Sequence, residues 1–125
     1  MALATKKLTR KSLRTPDETR PFEAGKGKLD VVNVDEGVVG LARFEPGWRW
    51  SLHVKPIAGT DSCQAAHMGY FVSGRMHVRM DDGTEDDFGP GDLMICPPGH
   101  DAWTLGDEPA VVIDWTGVAD YAKRK

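Results

Sequence analysis

The chain predicts an all-β fold of the sandwich or barrel type. Three observations carry this. Short apolar runs rich in Val, Ile and aromatics recur along the 125 residues. Fourteen glycines and eight prolines fall between those runs, where turns are needed. No long stretch keeps a helical period, and the length suits one domain with one core.

The elements follow in order. LDVVNV (residues 29–34) is a β-branched run closed by Asp35, Glu36 and Gly37, and VVGLARF (38–44) runs to a turn at Glu45-Pro46-Gly47. GWRWSLHVK then alternates strictly, so 48–55 reads as a strand. Its Trp48, Trp50, Leu52 and Val54 share one face, and Arg49, Ser51, His53 and Lys55 share the other. PIAGTDSCQAA (56–66) is an irregular insertion. Strands are expected at 67–72 and 75–80 around Ser73-Gly74, and the acidic DDGT turn follows. Further strands are expected at 92–96, 102–105 and 110–115, separated by PPGH and GDEP.

Charge and cysteines narrow the function. A net charge of −3 gives no general attraction for nucleic acid. No apolar run reaches the roughly 20 residues of a membrane-spanning helix. Two cysteines, Cys63 and Cys96, make no disulfide framework, and a reducing, cytoplasmic setting is expected. Residues 1–28 read as a basic leader with an edge segment; Lys6, Lys7, Arg10, Lys11 and Arg14 lie there, with no apolar block of a secretory signal behind them. Residues 119–125 read as a polar tail.

The histidines carry the sharper pattern. Gly47 is followed after five residues by His53, then Val54 and Lys55, and His67 is followed after six by Gly74. Gly91 is followed after five residues by Pro97, Pro98, Gly99 and His100. With GYFVSGRMHV and FGPGDLMICPPG around them, these segments resemble the two cupin motifs, G-x5-H-x-H-x3–4-E-x6-G and G-x5-P-x-G-x2-H-x3-N. The resemblance spans about residues 30–116 and implies a jelly-roll barrel, commonly dimeric, with a ligand or metal site inside. It places residues 29–118 in the barrel domain. The departures are clear: Lys55 stands at the second histidine, His67 at the glutamate after an eleven-residue spacer, and His100 comes early, with Ala102 at the expected position.

The resemblance implies a metal site of His53, His67 and His100, which suits zinc, iron or nickel and leaves a position open for water or substrate. Cys63 could add a fourth ligand or be a small buried residue; Cys96 reads as core. The alternative is three unrelated histidines on a polar wall, and an ammonium at Lys55 favours it by opposing a cation. A barrel of this kind also turns the polar face of 48–55 inward, against the bare periodicity. Arg49 and Lys55 would then recognise an anionic metabolite, with Trp103 as an apolar wall and the insertion arched over the mouth. The tryptophan face would need cover from a second copy, which predicts a homodimer. Three function classes stand: a metal-assisted enzyme on a small metabolite, a metal-free binding or sensing module, and a metal-independent isomerase or lyase.

Overall fold

The structure, a computed structural model, describes residues 7–34, 37–116 and 121–123. Lys6 of the basic leader, the Asp35-Glu36 turn and part of the expected tail lie outside the described residues.

Among the described residues nine strands pair, every pair antiparallel. They are β1 (Glu18–Pro21), β2 (Gly27–Val34), β3 (Gly37–Phe44), β4 (His67–Ser73), β5 (Arg75–Met80), β6 (Glu85–Phe88), β7 (Leu93–Cys96), β8 (His100–Leu105) and β9 (Ala110–Asp114). One sheet has the order β1-β2-β3-β9-β4-β7 and the other β6-β5-β8. The two sheets form a jelly roll, as expected. No helix among the described residues is long and apolar enough to cross a membrane.

The pleat of the strands sets the core. On β4, His67, Gly69 and Phe71 point inward while Met68, Tyr70 and Val72 stay exposed. Met76 and Val78 of β5, Met94 and Cys96 of β7, Ala102 of β8 and Val112 of β9 complete one cluster. Antiparallel pairing then gathers the starts of β4 and β8 and the ends of β7 and β9. His67 faces Cys96 across β4 and β7, and Asp114 ends β9 beside Gly69. Gly74 closes the β4–β5 turn with φ 72°, and a Cβ there would lie 2.0 Å from the Pro109 carbonyl oxygen, so only glycine fits.

The segment expected as a strand at 48–55 is a correction. Arg49 alone keeps a bridge, to Trp103 of β8, and the chain then turns into α1 (Trp50–His53) and α2 (Lys55–Ala58). Leu52 is thrown outward at 61% exposure, while Trp48, Trp50 and Val54 are buried at 2%, 2% and 0%. The inward residues of the helices are therefore Trp50, His53 and Val54, spaced three and four apart as a helix requires. Two donors at the start of α1 are satisfied by side chains, one from the helix itself and one from β8. The Arg49 N–H donates to His53 Nδ1 at 2.9 Å, and the Ser51 N–H donates to Asp101 Oδ1 at 3.1 Å. Pro56 in the first turn of α2 and Gly59 at its left-handed end are the sequence marks of this helix.

The expected polar-in orientation is overturned with it. The tryptophans fill the barrel, and Arg49 and Lys55 look outward with side chains each 43% exposed. The acidic turn also continues as a strand. In β6, Glu85 and Asp87 hold His77 of β5, which offsets the low strand tendency of the acids.

Candidate metal centre

The site lies at the end of the barrel where β4 and β8 start. His67 opens β4 with its ring inside. Its Nδ1 is 2.6 Å from Asp114 Oδ2, and the other carboxylate oxygen, Oδ1, accepts the Thr116 N–H at 2.9 Å. A proton on Nδ1 serves that contact, so Nε2 carries the free lone pair.

His100 opens β8. Its Nδ1 donates to the Pro97 carbonyl at 2.9 Å and lies 3.2 Å from Cys96 Sγ. The PPG turn therefore fixes the ring and leaves its Nε2 for a ligand. Burial pushes His100 below the usual imidazole range, which keeps it neutral and coordinating near pH 7. The two rings meet edge to face with centroids 5.3 Å apart.

Cys63 comes from the insertion, which reaches the site as expected. Its N–H donates to the His100 carbonyl at 2.8 Å, and its carbonyl accepts the Gly99 N–H at 2.7 Å. This bridge swings Sγ to 3.6 Å from His67 Nε2. A tetrahedral ion with Zn–S of ~2.3 Å and Zn–N of ~2.0–2.1 Å spaces those two atoms by about 3.6 Å. One ligand atom each from Cys63, His67 and His100 lies within 4.8 Å of the others. Burial pushes the Cys63 thiol up to about 12 and the Cys96 thiol to about 11. Both are therefore thiols without metal, and a bound cation would displace the Cys63 proton. The donor set and its spacing fit a divalent ion.

Behind the cluster is a cavity of about 40 Å³. Its lining is mostly apolar, from Leu29, Phe44, Met76, Met94 and Val112 among others, with His67, His100, Asp114 and Tyr121 also in its walls. Tyr121 is half-buried against the His67 ring, centroids 5.3 Å apart, and desolvation raises its hydroxyl well above the ordinary range.

The expected residues are thus divided. His67 and His100 converge. His53 lies outside the group, its Nδ1 taken by the Arg49 N–H because the helix turns the ring back on its own first turn. Arg49, Lys55 and Trp103 are absent from the cavity lining. Arg49 pairs with Asp101 at 3.3 Å and stacks over Trp103 at 4.2 Å, while Lys55 approaches Asp61 at 3.9 Å. Trp103 is on the outward parity of β8, sandwiched between Arg49 and the His77 ring. Asp114 was not anticipated. An acid at the inward parity of the apolar run AVVID was its signal in the sequence.

Comparison with known proteins agrees with this architecture. Residues 48–115 match the family described as the EutQ-like cupin domain. No curated protein matches the sequence. Among solved structures, a protein of unknown function from Acidithiobacillus ferrooxidans superposes with TM-score 0.58 at 16% identity, over 80% of this chain and 87% of that one. A sugar phosphate isomerase of the cupin superfamily from Silicibacter pomeroyi gives 0.59 at 19% identity, over 85% and 73%. The EutQ protein of Clostridium difficile gives 0.54 at 16%, over 79% and 67%. At these identities the likeness is one of fold. The match of residues 48–115, on a jelly roll with His67 and His100 at its inner end, identifies the chain as a member of the EutQ-like cupin domain family.

Proposed function

We propose that this protein binds a small ligand inside its barrel and acts on it through a divalent metal held by Cys63, His67 and His100. The convergence of these three donors, each with its position fixed by other groups, carries the reading. A thiolate with two imidazoles suits zinc, iron, nickel or copper, and three protein ligands leave a position for water or substrate. Such a metal supplies Lewis-acid polarisation of that fourth ligand. Asp114 holds the His67 tautomer and raises the basicity of Nε2, and the Pro97 carbonyl does the same for His100.

The cavity favours a ligand of few atoms. Its volume of about 40 Å³ holds roughly three water molecules. A sugar phosphate, the substrate class named for the Silicibacter protein, is larger than that space. Recognition of an anionic metabolite by Arg49 and Lys55 loses its support, since both look away from the cavity.

Two further parts of the reading rest on burial. Both free cysteines suit a reducing cytoplasm, where they stay thiols. A second copy covers the outer face of β9, β4 and β7, where Met68, Tyr70, Val72, Leu93, Ile95 and Trp115 are exposed together.

The test is metal analysis of untagged protein after incubation with zinc, iron and nickel. One equivalent is expected in the wild type and in His53→Ala, and none in Cys63→Ser, His67→Ala or His100→Ala. Wild type without bound metal would leave the metal-free binding module as the better account.

A further inference from the structure

Tyr121 reaches the metal end of the barrel and has no role in the site so far. It stands edge-on to the His67 ring and to Phe22, centroids 5.3 and 6.2 Å apart, and it forms part of the cavity wall. The residue as a whole is half-buried, but its hydroxyl lies deep in the barrel, where Cys63, Asp114 and Asp101 are the acidic groups that act on it. The ring therefore enters from the surface with its hydroxyl inward. That hydroxyl has no hydrogen-bond partner among the described residues. Unlike the Trp48 and Trp50 nitrogens, it is not sealed from water-sized space.

The chain holds Tyr121 in place from both sides. Its carbonyl accepts the Arg20 Nη1–H at 2.9 Å, and Glu18 grips the same guanidinium at 2.9 and 3.0 Å. Ala122 follows with φ 54°, the left-handed region that strains a residue with a Cβ. Its methyl is buried in the core at 4% exposure, which pins the segment and offsets that strain. A phenylalanine at 121 would fill the same space, so packing does not account for the hydroxyl. The other polar groups of the cavity wall are already used. Asp114 engages His67 and the Thr116 N–H, and the Nε2 atoms of His67 and His100 belong to the metal cluster. The Tyr121 hydroxyl is the donor left for a guest in the cavity.

We propose that Tyr121 is a ligand-binding residue of the metal cavity, its hydroxyl donating a hydrogen bond to the water or small anion at the open metal position, with the Arg20–Glu18 pair as its latch. This rests on the metal centre proposed above and adds the protein donor that meets that centre's fourth ligand. A small anion gains most from such a donor. A hydrogen bond to a charged acceptor is stronger than one between neutral groups, and the mostly apolar walls offer little else to compete for it. A phenol keeps its proton at neutral pH, so the group donates whenever the latch holds it in place.

The experiment uses full-length, untagged protein loaded with cobalt(II), whose visible spectrum reports the ligands of the ion. Cobalt content is measured first, and azide, a small linear anion, is then titrated. Azide should change the wild-type spectrum and saturate. Tyr121→Phe keeps the ring and removes the hydroxyl. It should hold cobalt as the wild type does and bind azide roughly tenfold or more weakly, the worth of a hydrogen bond to a charged group. Arg20→Gln, with the hydroxyl still present, should weaken azide in the same direction; an unchanged affinity there would remove the latch. A second readout leaves Tyr121 in place. The chain has two tyrosines, so 3-fluorotyrosine labelling with Tyr70→Phe leaves one fluorine signal. In zinc-loaded protein that signal should move as azide is added. Cobalt-loaded protein that ignores azide, or in which Tyr121→Phe binds azide as tightly as the wild type, overturns this inference and leaves the metal centre standing. Protein that takes up neither cobalt nor zinc overturns both.

Discussion

At the scale of single residues, Asp114 and His77 show how one side chain sets the behaviour of a histidine. Asp114 touches no proposed ligand position directly; it holds the His67 Nδ1 proton at 2.6 Å and so aims Nε2. Asp114→Asn keeps the shape but removes the charge and presents an ambiguous donor or acceptor. Metal affinity should drop about 10–100-fold, the usual cost of losing such a partner, as read by competition with a chromogenic chelator. His77 is outside the barrel, between Glu85 at 2.8 Å and Asp87 at 2.5 Å. The Glu85 hydrogen bond, helped by Asp87 and opposed by partial burial, raises its pKa. The folded state therefore binds the proton more tightly than the unfolded chain, whose histidine titrates near ~6.5. The stabilisation is complete below that value and is lost as pH rises through the raised folded pKa. Urea midpoints of wild type minus His77→Gln should shrink as pH rises above the unfolded value of ~6.5; a difference that is flat or grows would refute the assignment.

At the scale of elements, GWRWSLHVKPIA satisfies two periods at once. Alternation groups Trp48, Trp50, Leu52 and Val54; helical spacing groups Trp50, His53 and Val54. Leu52 separates the two, because only a strand would bury it, and it is 61% exposed. Val54→Ala should therefore cost about 2–3 kcal/mol in denaturant unfolding, as a fully buried truncation. Leu52→Ala should fall within about 0.5 kcal/mol of wild type, unless Leu52 is covered in an assembly. Equal and large losses at both positions would restore the strand. The helical turn has a functional consequence. It takes His53 out of the metal group and leads the chain into the insertion that delivers Cys63.

For the whole molecule, the question is what covers the outer face of the six-stranded sheet. Strand β7 is at its edge, and Leu93 and Ile95 stand 62% and 72% exposed beside Met68 and Tyr70 of β4. A stable dimer buries about 800 Å² from each partner, and apolar side chains supply its core. Light scattering should give a dimer mass for the wild type and a monomer mass for Ile95→Lys, with the fold unchanged by circular dichroism. A monomeric wild type at micromolar concentration would remove the proposal. The reason first given for a dimer, an outward tryptophan face, does not hold; the outer face of β9, β4 and β7 takes its place.

The sequence by itself determined the barrel, because strand period and turn chemistry are local: Arg75–Met80 and Gly37–Phe44 were legible from alternation and from the glycines beside them. The resemblance to the cupin motifs also grouped His67 and His100, together with His53, which the structure leaves outside the cluster. Tertiary structure decided the rest. The turn of 48–55 into helix comes with tertiary contacts, the burial of Trp50 and Val54 and the Ser51 N–H bond to Asp101, fifty residues away. The third member of the Cys63, His67 and His100 cluster depended on the backbone bridge between Cys63 and the Gly99-His100 turn, which no local pattern encodes. The inward polarity of Asp114 was written in the parity of AVVID, but its partner was not, since His67 meets it only where β4 and β9 pair. Local geometry sets which way a side chain points; only the closed barrel sets what it points at.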